Sequence, residues 1–267
     1  MQSPNPKDQG YQALLESYLR TLNLPTFLEQ YQAYAKDAAR LGLSCERFLL
    51  ALCEAEISHR EAKRIERAIA FAKLPLIKEL TSYDFSAVES ISKIRILELA
   101  QGGYMERAEN LLLLGSQGLG KTHLALALAL TACRQGKRVR FYRTAKLVDD
   151  LMVMQHNLRL SAFTARFEKL DLLILDELGF FPVAKEGTQL LFQLCSDLYE
   201  RVSIILTSNL RFTEWTQVFG DEKMTGAFID RLTHKGHILE FIGESYRYRH
   251  RLQQGESEPP ESQPEVG

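Results

Sequence analysis

Apolar residues recur at helical spacing through the first 75 positions of the chain. Tyr11, Leu14, Leu15, Tyr18, Leu19 and Leu22 fall on one face, which predicts an amphipathic helix over 11–22. A second helical stretch runs from Pro25 to Leu41, and a third starts near Ser44 and carries Phe48, Leu49, Leu52 and Cys53. Ser58-His59-Arg60-Glu61 has the S-x-x-E form of a capping box, so a fresh helix start is expected at 58, with that helix running to Pro75. Residues 1–75 therefore read as a small all-helical domain. Residues 76–108 form a linker with one helix over 87–99.

The pattern then changes. Short apolar runs at 111–114, 138–142, 170–175, 202–207 and 237–241 alternate with helical stretches, the signature of a parallel α/β sheet, here five-stranded. The segment His123–Thr131 alternates Leu and Ala with a strand-like period of two. Both residues are strong helix formers and the segment follows a glycine-rich loop, so it is read as a helix buried on most sides. The α/β domain spans 109–250. Residues 251–267, with four glutamates, three prolines and no apolar cluster, are expected to be a disordered acidic tail.

Composition narrows this only a little. The chain has 267 residues, 45% of them hydrophobic and 25% charged, enough for a buried core. A net charge of -1 means that any nucleic-acid surface must be a local patch. The four cysteines are scattered without a C-x-x-C pair, which fits a reducing cytoplasm better than a disulfide framework. The N-terminus has neither the basic start nor the apolar core of a signal peptide, and no apolar stretch is long enough to span a bilayer. A cytoplasmic protein is expected.

The chemistry begins at Gly115-Ser116-Gln117-Gly118-Leu119-Gly120-Lys121-Thr122, a match to the phosphate-loop pattern G-x-x-x-x-G-K-[ST]. Glycines let the loop curl so that its N–H groups point at phosphate oxygens, and the following helix adds its positive end. Lys121 would meet the β and γ phosphates of ATP, and the Thr122 hydroxyl would ligate Mg²⁺. His123 completes the cofactor-binding set at the start of the helix. An apolar run then ends in Asp176-Glu177. Asp176 is expected at the carboxyl edge of the sheet on Mg²⁺, with Glu177 beside it to orient and deprotonate water.

An acidic pair at this place points to the additional-strand class of ATPases, whose inserted strand ends in a polar water-positioning residue. Ser203–Asn209 supplies such a strand and Asn209 ends it. Arg231, in Ala227–Leu232, cannot easily reach its own γ-phosphate. It reads either as an arginine finger toward a neighbouring subunit or as a surface arginine paired with Asp230.

Two basic regions could meet DNA. Arg60, Lys63, Arg64 and Arg67 share one side of a helix, a stripe suited to phosphates or to a solvated face flanked by Glu61 and Glu66. Arg140, Arg143, Lys146, Arg159, Arg166 and Lys169 form the second group.

The segments AENLLLLGSQGLGKTHLA, LDLLILDELGF, LTSNLRFTEWTQVFGD, IDRLTHKG and GESYR closely resemble the IstB family over about residues 10–250. These are AAA+ helper ATPases encoded beside the transposase of certain bacterial insertion sequences, related to the DnaC and DnaI helicase loaders. The chain departs from the family at Ser116, where many relatives have proline, and at Thr207-Ser208-Asn209, where T-T-N is usual. The resemblance implies an AAA+ fold, and ATP-dependent head-to-tail homo-oligomers on double-stranded DNA that deform it. It also implies recruitment and stimulation of a partner transposase. It favours Arg231 as a finger acting in trans. Arg247 of Gly243–Arg247 reads either as a second nucleotide sensor or as half of a structural salt bridge. A helicase loader preferring single-stranded DNA is the same-clade alternative. A small-molecule kinase would need an acceptor pocket that no segment marks.

Overall fold

In the computed structural model the described residues are 6–179 and 185–243. The chain divides into two compact units, one ending at Arg67 and the other beginning at Ala68.

The first unit holds α1 (Pro6–Thr21), α2 (Pro25–Leu41) and most of α3 (Cys45–Ala72). The fresh start expected at Ser58 does not occur: α3 runs unbroken through it. A capping box needs a preceding residue that has left helical geometry. Residues 50–57 contain no glycine or proline to force that, and Glu61 instead pairs with Arg64 at 2.6 Å. Buried Glu56 ties α3 to the start of α2 by accepting from Thr26 N at 2.9 Å and Arg60 Nε at 2.7 Å. Of the apolar face predicted on α1, only Leu19 is buried; Tyr11, Leu14, Leu15, Tyr18 and Leu22 are exposed.

The second unit opens with two 3-10 turns (Leu80–Ser82 and Phe85–Ala87), followed by α4 (Lys93–Ala100) and α5 (Gly103–Glu106). The helix expected over 87–99 thus starts six residues later. Ser92 is its N-cap and accepts from Arg95 N at 3.4 Å, and Val88 and Ile91 are buried in extended or turn geometry ahead of it.

The α/β core then runs β1 (Asn110–Gly115), α6 (Lys121–Arg134), β2 (Val139–Arg143), α7 (Thr144–His156), α8 (Leu160–Thr164), β3 (Leu172–Leu178), α9 (Lys185–Leu198), β4 (Ser203–Ser208), α10 (Thr216–Phe219), α11 (Glu222–His234) and β5 (Gly236–Phe241). All five strands are parallel, in the order β2-β3-β4-β1-β5. β4 is inserted between β1 and β3, as the additional-strand class requires. The expected helix at 123–131 is present, with Leu124–Leu130 all buried.

The strands read as continuous apolar runs because both sheet faces are covered. Leu111 and Leu113 of β1 enter one core with Leu124 and Leu128 of α6, while Leu112 and Leu114 enter the other with Leu147, Leu191 and Phe228. Leu172 and Ile174 against Leu173 and Leu175 repeat the alternation on β3. All four cysteines are unpaired. Among the described residues no helix is long and apolar enough to cross a membrane. The acidic tail and Arg247 lie outside the described residues.

Candidate active site

β1 ends at Gly115 and α6 begins at Lys121, so the five residues between carry the chain from the carboxyl edge of the sheet into a helix N-terminus. Gly115 has φ +138°, and a Cβ there would lie 2.2 Å from the Phe241 carbonyl oxygen. Only glycine lets β1 turn this close to β5. The loop lines a cavity of about 490 Å³ together with Thr122, His123, Glu177, Thr207, Ser208 and Asn209. The first N–H groups of a helix have no intrahelical acceptor, and the residues that open α6 line this cavity. Lys121 is buried, and its Nζ donates to the Gly115 and Ser116 carbonyls at 2.6 and 2.7 Å, a grip that phosphate oxygens can replace.

The acidic strand end differs from its expected form. β3 continues to Leu178, so Asp176 and Glu177 lie within the strand rather than just beyond it. The register is interrupted between Leu175 and Leu178, and Glu177 sits there with φ +61°. A left-handed conformation at a non-glycine residue costs on the order of 1–3 kcal/mol, and its persistence marks a place held by its surroundings. The holding group is Thr207 of β4. Its Oγ1 accepts from Glu177 N at 2.9 Å and donates to Asp176 Oδ1 at 2.7 Å. The Ser208 hydroxyl continues the clamp by donating to the Leu178 carbonyl at 2.8 Å.

Asp176 is the hub of this network and is only 2% exposed. Its Oδ1 accepts from Thr122 Oγ1 at 2.8 Å as well as from Thr207, and its carbonyl accepts from Thr144 Oγ1 at 2.9 Å. A buried carboxylate and a hydroxyl at a helix N-terminus, on the wall of a phosphate-sized cradle, suit a hard divalent cation that keeps most of its waters. The Glu177 side chain is exposed, as a group that must meet water has to be. Asn209 follows β4 directly and lines the same cavity.

The structure thus brings Lys121, Thr122, His123, Glu177 and Asn209 to one cavity, with Asp176 buried just behind its wall and hydrogen-bonded to the lining residues Thr122 and Thr207. Arg231 is elsewhere. It lies in the last turn of α11, half-buried, with Nη1 donating to Ser196 Oγ and the guanidinium 4.7 Å from the centre of the Phe192 ring. Its partners are therefore on α9, and the expected alternative pairing with Asp230 is not what holds it.

The basic residues also separate. In the first unit, Arg60 is held by Glu56 and by the Asn23 carbonyl, Lys63 by Glu66, Arg64 by Glu61, and Arg67 donates to the Lys63 carbonyl. In the second unit, Arg140 donates to the Phe71 carbonyl at 2.6 Å and lies over the Phe71 ring, a packing role. Arg143 and Lys146 lie where β2 passes into α7, at the carboxyl edge of the sheet, and Lys146 pairs with Asp150. Arg159, Arg166 and Lys169 follow α7 at the opposite edge and are exposed.

Sequence reasoning missed Thr207 and Thr144. A β-branched residue at either place is what any strand end or helix start might carry, and only the family's T-T-N pattern drew notice to 207. Thr207→Val keeps the shape and removes the hydroxyl. We expect it to destabilise the fold by about 1–3 kcal/mol, because Asp176 and Glu177 N each lose a partner. ATP turnover should fall by about tenfold or more, with a smaller change in nucleotide affinity. Denaturant unfolding alongside turnover and binding assays checks both halves.

Comparison with known proteins agrees with this geometry. The chain matches the IstB-like ATP binding protein family over residues 17–254. It is 42% identical over 239 residues to a Sinorhizobium fredii protein named as an insertion-sequence ATP-binding protein, covering 89% of this chain and 80% of that one. A Geobacillus stearothermophilus protein of the same kind is 36% identical over 244 residues, covering 91% and 97%. Among solved structures, the crystal structure of DnaI aligns with a TM-score of 0.52 at 16% identity, covering 62% of this chain and 91% of that one. AMPPCP-bound DnaA from Aquifex aeolicus aligns with a TM-score of 0.51 at 20% identity, covering 71% and 59%. At such identities the two structures speak for the AAA+ fold alone. With the family match covering most of the chain and the phosphate loop facing an acidic strand end, the chain belongs to the IstB-like ATP-binding protein family.

Proposed function

We propose that this protein is an ATP-hydrolysing regulator that oligomerises on duplex DNA, deforms it, and recruits and stimulates a partner transposase, with hydrolysis driving release. One observation carries the ATPase reading: Asp176 Oδ1 joins the loop hydroxyl of Thr122 to Thr207, which in turn holds Glu177 beside the phosphate-loop cavity. Lys121 neutralises the β and γ phosphates once they replace the Gly115 and Ser116 carbonyls. Glu177 orients a water and takes its proton, and Asn209 fixes that water from the neighbouring strand. Thr122 and Asp176 would hold Mg²⁺, which supplies charge neutralisation at the phosphates.

The placement of Arg231 supports assembly. The arginine does not line its own cavity, so a role at the γ-phosphate is open to it only across a subunit interface. Such head-to-tail contacts give rings or open helices, and a helix suits a long duplex. DNA deformation costs several kcal/mol, which many phosphate contacts per assembly offset. Arg143, Arg159, Arg166 and Lys169 are the leading contacts because they are exposed. Lys63, Arg64 and Lys146 already face carboxylates, although pairs this exposed are weak enough to exchange for phosphates, whereas Arg60 is tied to buried Glu56.

This predicts tighter ATP-dependent binding to duplex than to single strands, and affinity that falls steeply with salt. Removing one DNA-facing arginine, as in Arg143→Ala, should lower the slope of log affinity against log salt by about one. Fluorescence anisotropy on both forms of DNA at several salt concentrations provides the test. Preference for single strands would favour a helicase-loader role instead.

A further inference from the structure

One wall of the cavity comes from neither motif. The 76–88 segment contributes Leu76, Lys78, Ser82, Tyr83, Ala87 and Val88, and Tyr83 packs against the phosphate loop. From Gly120, with φ +85°, a Cβ would lie 3.2 Å from both Tyr83 Cε2 and its hydroxyl oxygen. The ring therefore rests on the last glycine of the loop. It meets His123 edge-on at 5.3 Å between centroids, and Phe85 at 4.8 Å. His123 Nε2 has its own neighbour in Ser82 Oγ at 3.4 Å.

The Tyr83 hydroxyl is buried and has no hydrogen-bond partner among the described residues. Folded proteins rarely leave such a group, because it loses its water without replacement. Packing alone would be served as well by phenylalanine, so the oxygen asks for a separate reason. We propose that Tyr83 is a nucleotide-binding residue, whose hydroxyl donates a hydrogen bond to an oxygen of the nucleotide seated on the phosphate loop. This assignment rests on the reading that the loop holds ATP. The acceptor is a phosphate or ribose oxygen. Burial, with a smaller contribution from the Asp84 carboxylate, pushes the Tyr83 pKa up to about 12, so the hydroxyl keeps its proton and remains a donor at any working pH. Through Tyr83 the 76–88 segment would sense whether the loop is filled.

Tyr83→Phe separates this role from a structural one. Without nucleotide, the variant should melt at the same temperature as wild type or higher, since it no longer buries an unpaired hydroxyl. Its affinity for ADP and for a non-hydrolysable ATP analogue should fall roughly tenfold, the loss of one hydrogen bond. Titration calorimetry and thermal unfolding read both quantities on the full chain. Unchanged affinity overturns the assignment. So does a nucleotide-free variant less stable than wild type with affinity intact, which would place a bound water or a structural partner on the hydroxyl. If wild type itself binds neither nucleotide, the ATPase reading falls with it; wild-type binding with an indifferent Tyr83→Phe defeats this assignment alone.

Discussion

Replacing Arg231 with alanine is expected to lower ATP turnover by about a thousandfold, the lower end of what an arginine finger contributes. Nucleotide affinity of the isolated chain should hardly change, because Arg231 does not line its own cavity. The side chain rests on Phe192 and Ser196 of α9, so its removal should also cost about 1 kcal/mol of stability through the lost cation–π contact and hydrogen bond. Those two effects separate in a mixing experiment. Arg231→Ala retains an intact phosphate loop, and Lys121→Ala retains an intact arginine. If the arginine acts across an interface, some junctions in a mixed assembly combine the two intact halves. Turnover should then return to a measurable fraction of wild type. A mixture as inactive as either variant alone would mean that Arg231 is a packing residue of α11 and α9.

The parts of this site that sequence disclosed are those whose chemistry demands a fixed spacing along the chain. The glycines, Lys121 and Thr122 must be adjacent for one loop to wrap a phosphate, and Asp176-Glu177 must close an apolar run to stand at the sheet edge. Groups that meet only through the fold left no such trace. Thr207 joins Asp176 and Glu177 across two strands, from a position where a threonine is unremarkable. Tyr83 lies in an irregular segment that carries no periodicity to place it. The inserted strand was legible because the acid pair and a strand ending in Asn209 together point to the additional-strand class; the full strand order was not.

Local signals misled where tertiary context overrode them. The S-x-x-E at Ser58 is a true capping pattern, but nothing upstream breaks α3. The end of β3 was placed too early because aspartate and glutamate are poor strand formers. Thr207, accepting from Glu177 N, and Ser208, donating to the Leu178 carbonyl, carry the strand on through its bulge to Leu178. The amphipathic pattern of α1 does form a helix, but three helices leave most of its apolar face uncovered.

The second large effect is expected at Glu177. Its side chain is exposed, and only its backbone N–H takes part in the Asp176–Thr207–Thr122 network. Glu177→Gln should therefore leave the network, the loop and ATP binding intact while removing the group that accepts the water's proton. General-base loss of this kind costs about 10²- to 10⁴-fold in turnover. Stability should be nearly unchanged, because an exposed carboxylate becomes an exposed amide. The variant would then hold ATP at every interface and stay assembled.

That consequence bears on the central claim, that ATP holds the assembly on DNA and hydrolysis lets it go. The decisive measurement is dissociation of wild type and Glu177→Gln from labelled duplex DNA in saturating ATP, followed after a chase with unlabelled DNA. The account predicts that the variant leaves much more slowly, and that wild type is slowed to match it by a non-hydrolysable ATP analogue. Release of Glu177→Gln at least as fast as wild type would contradict it.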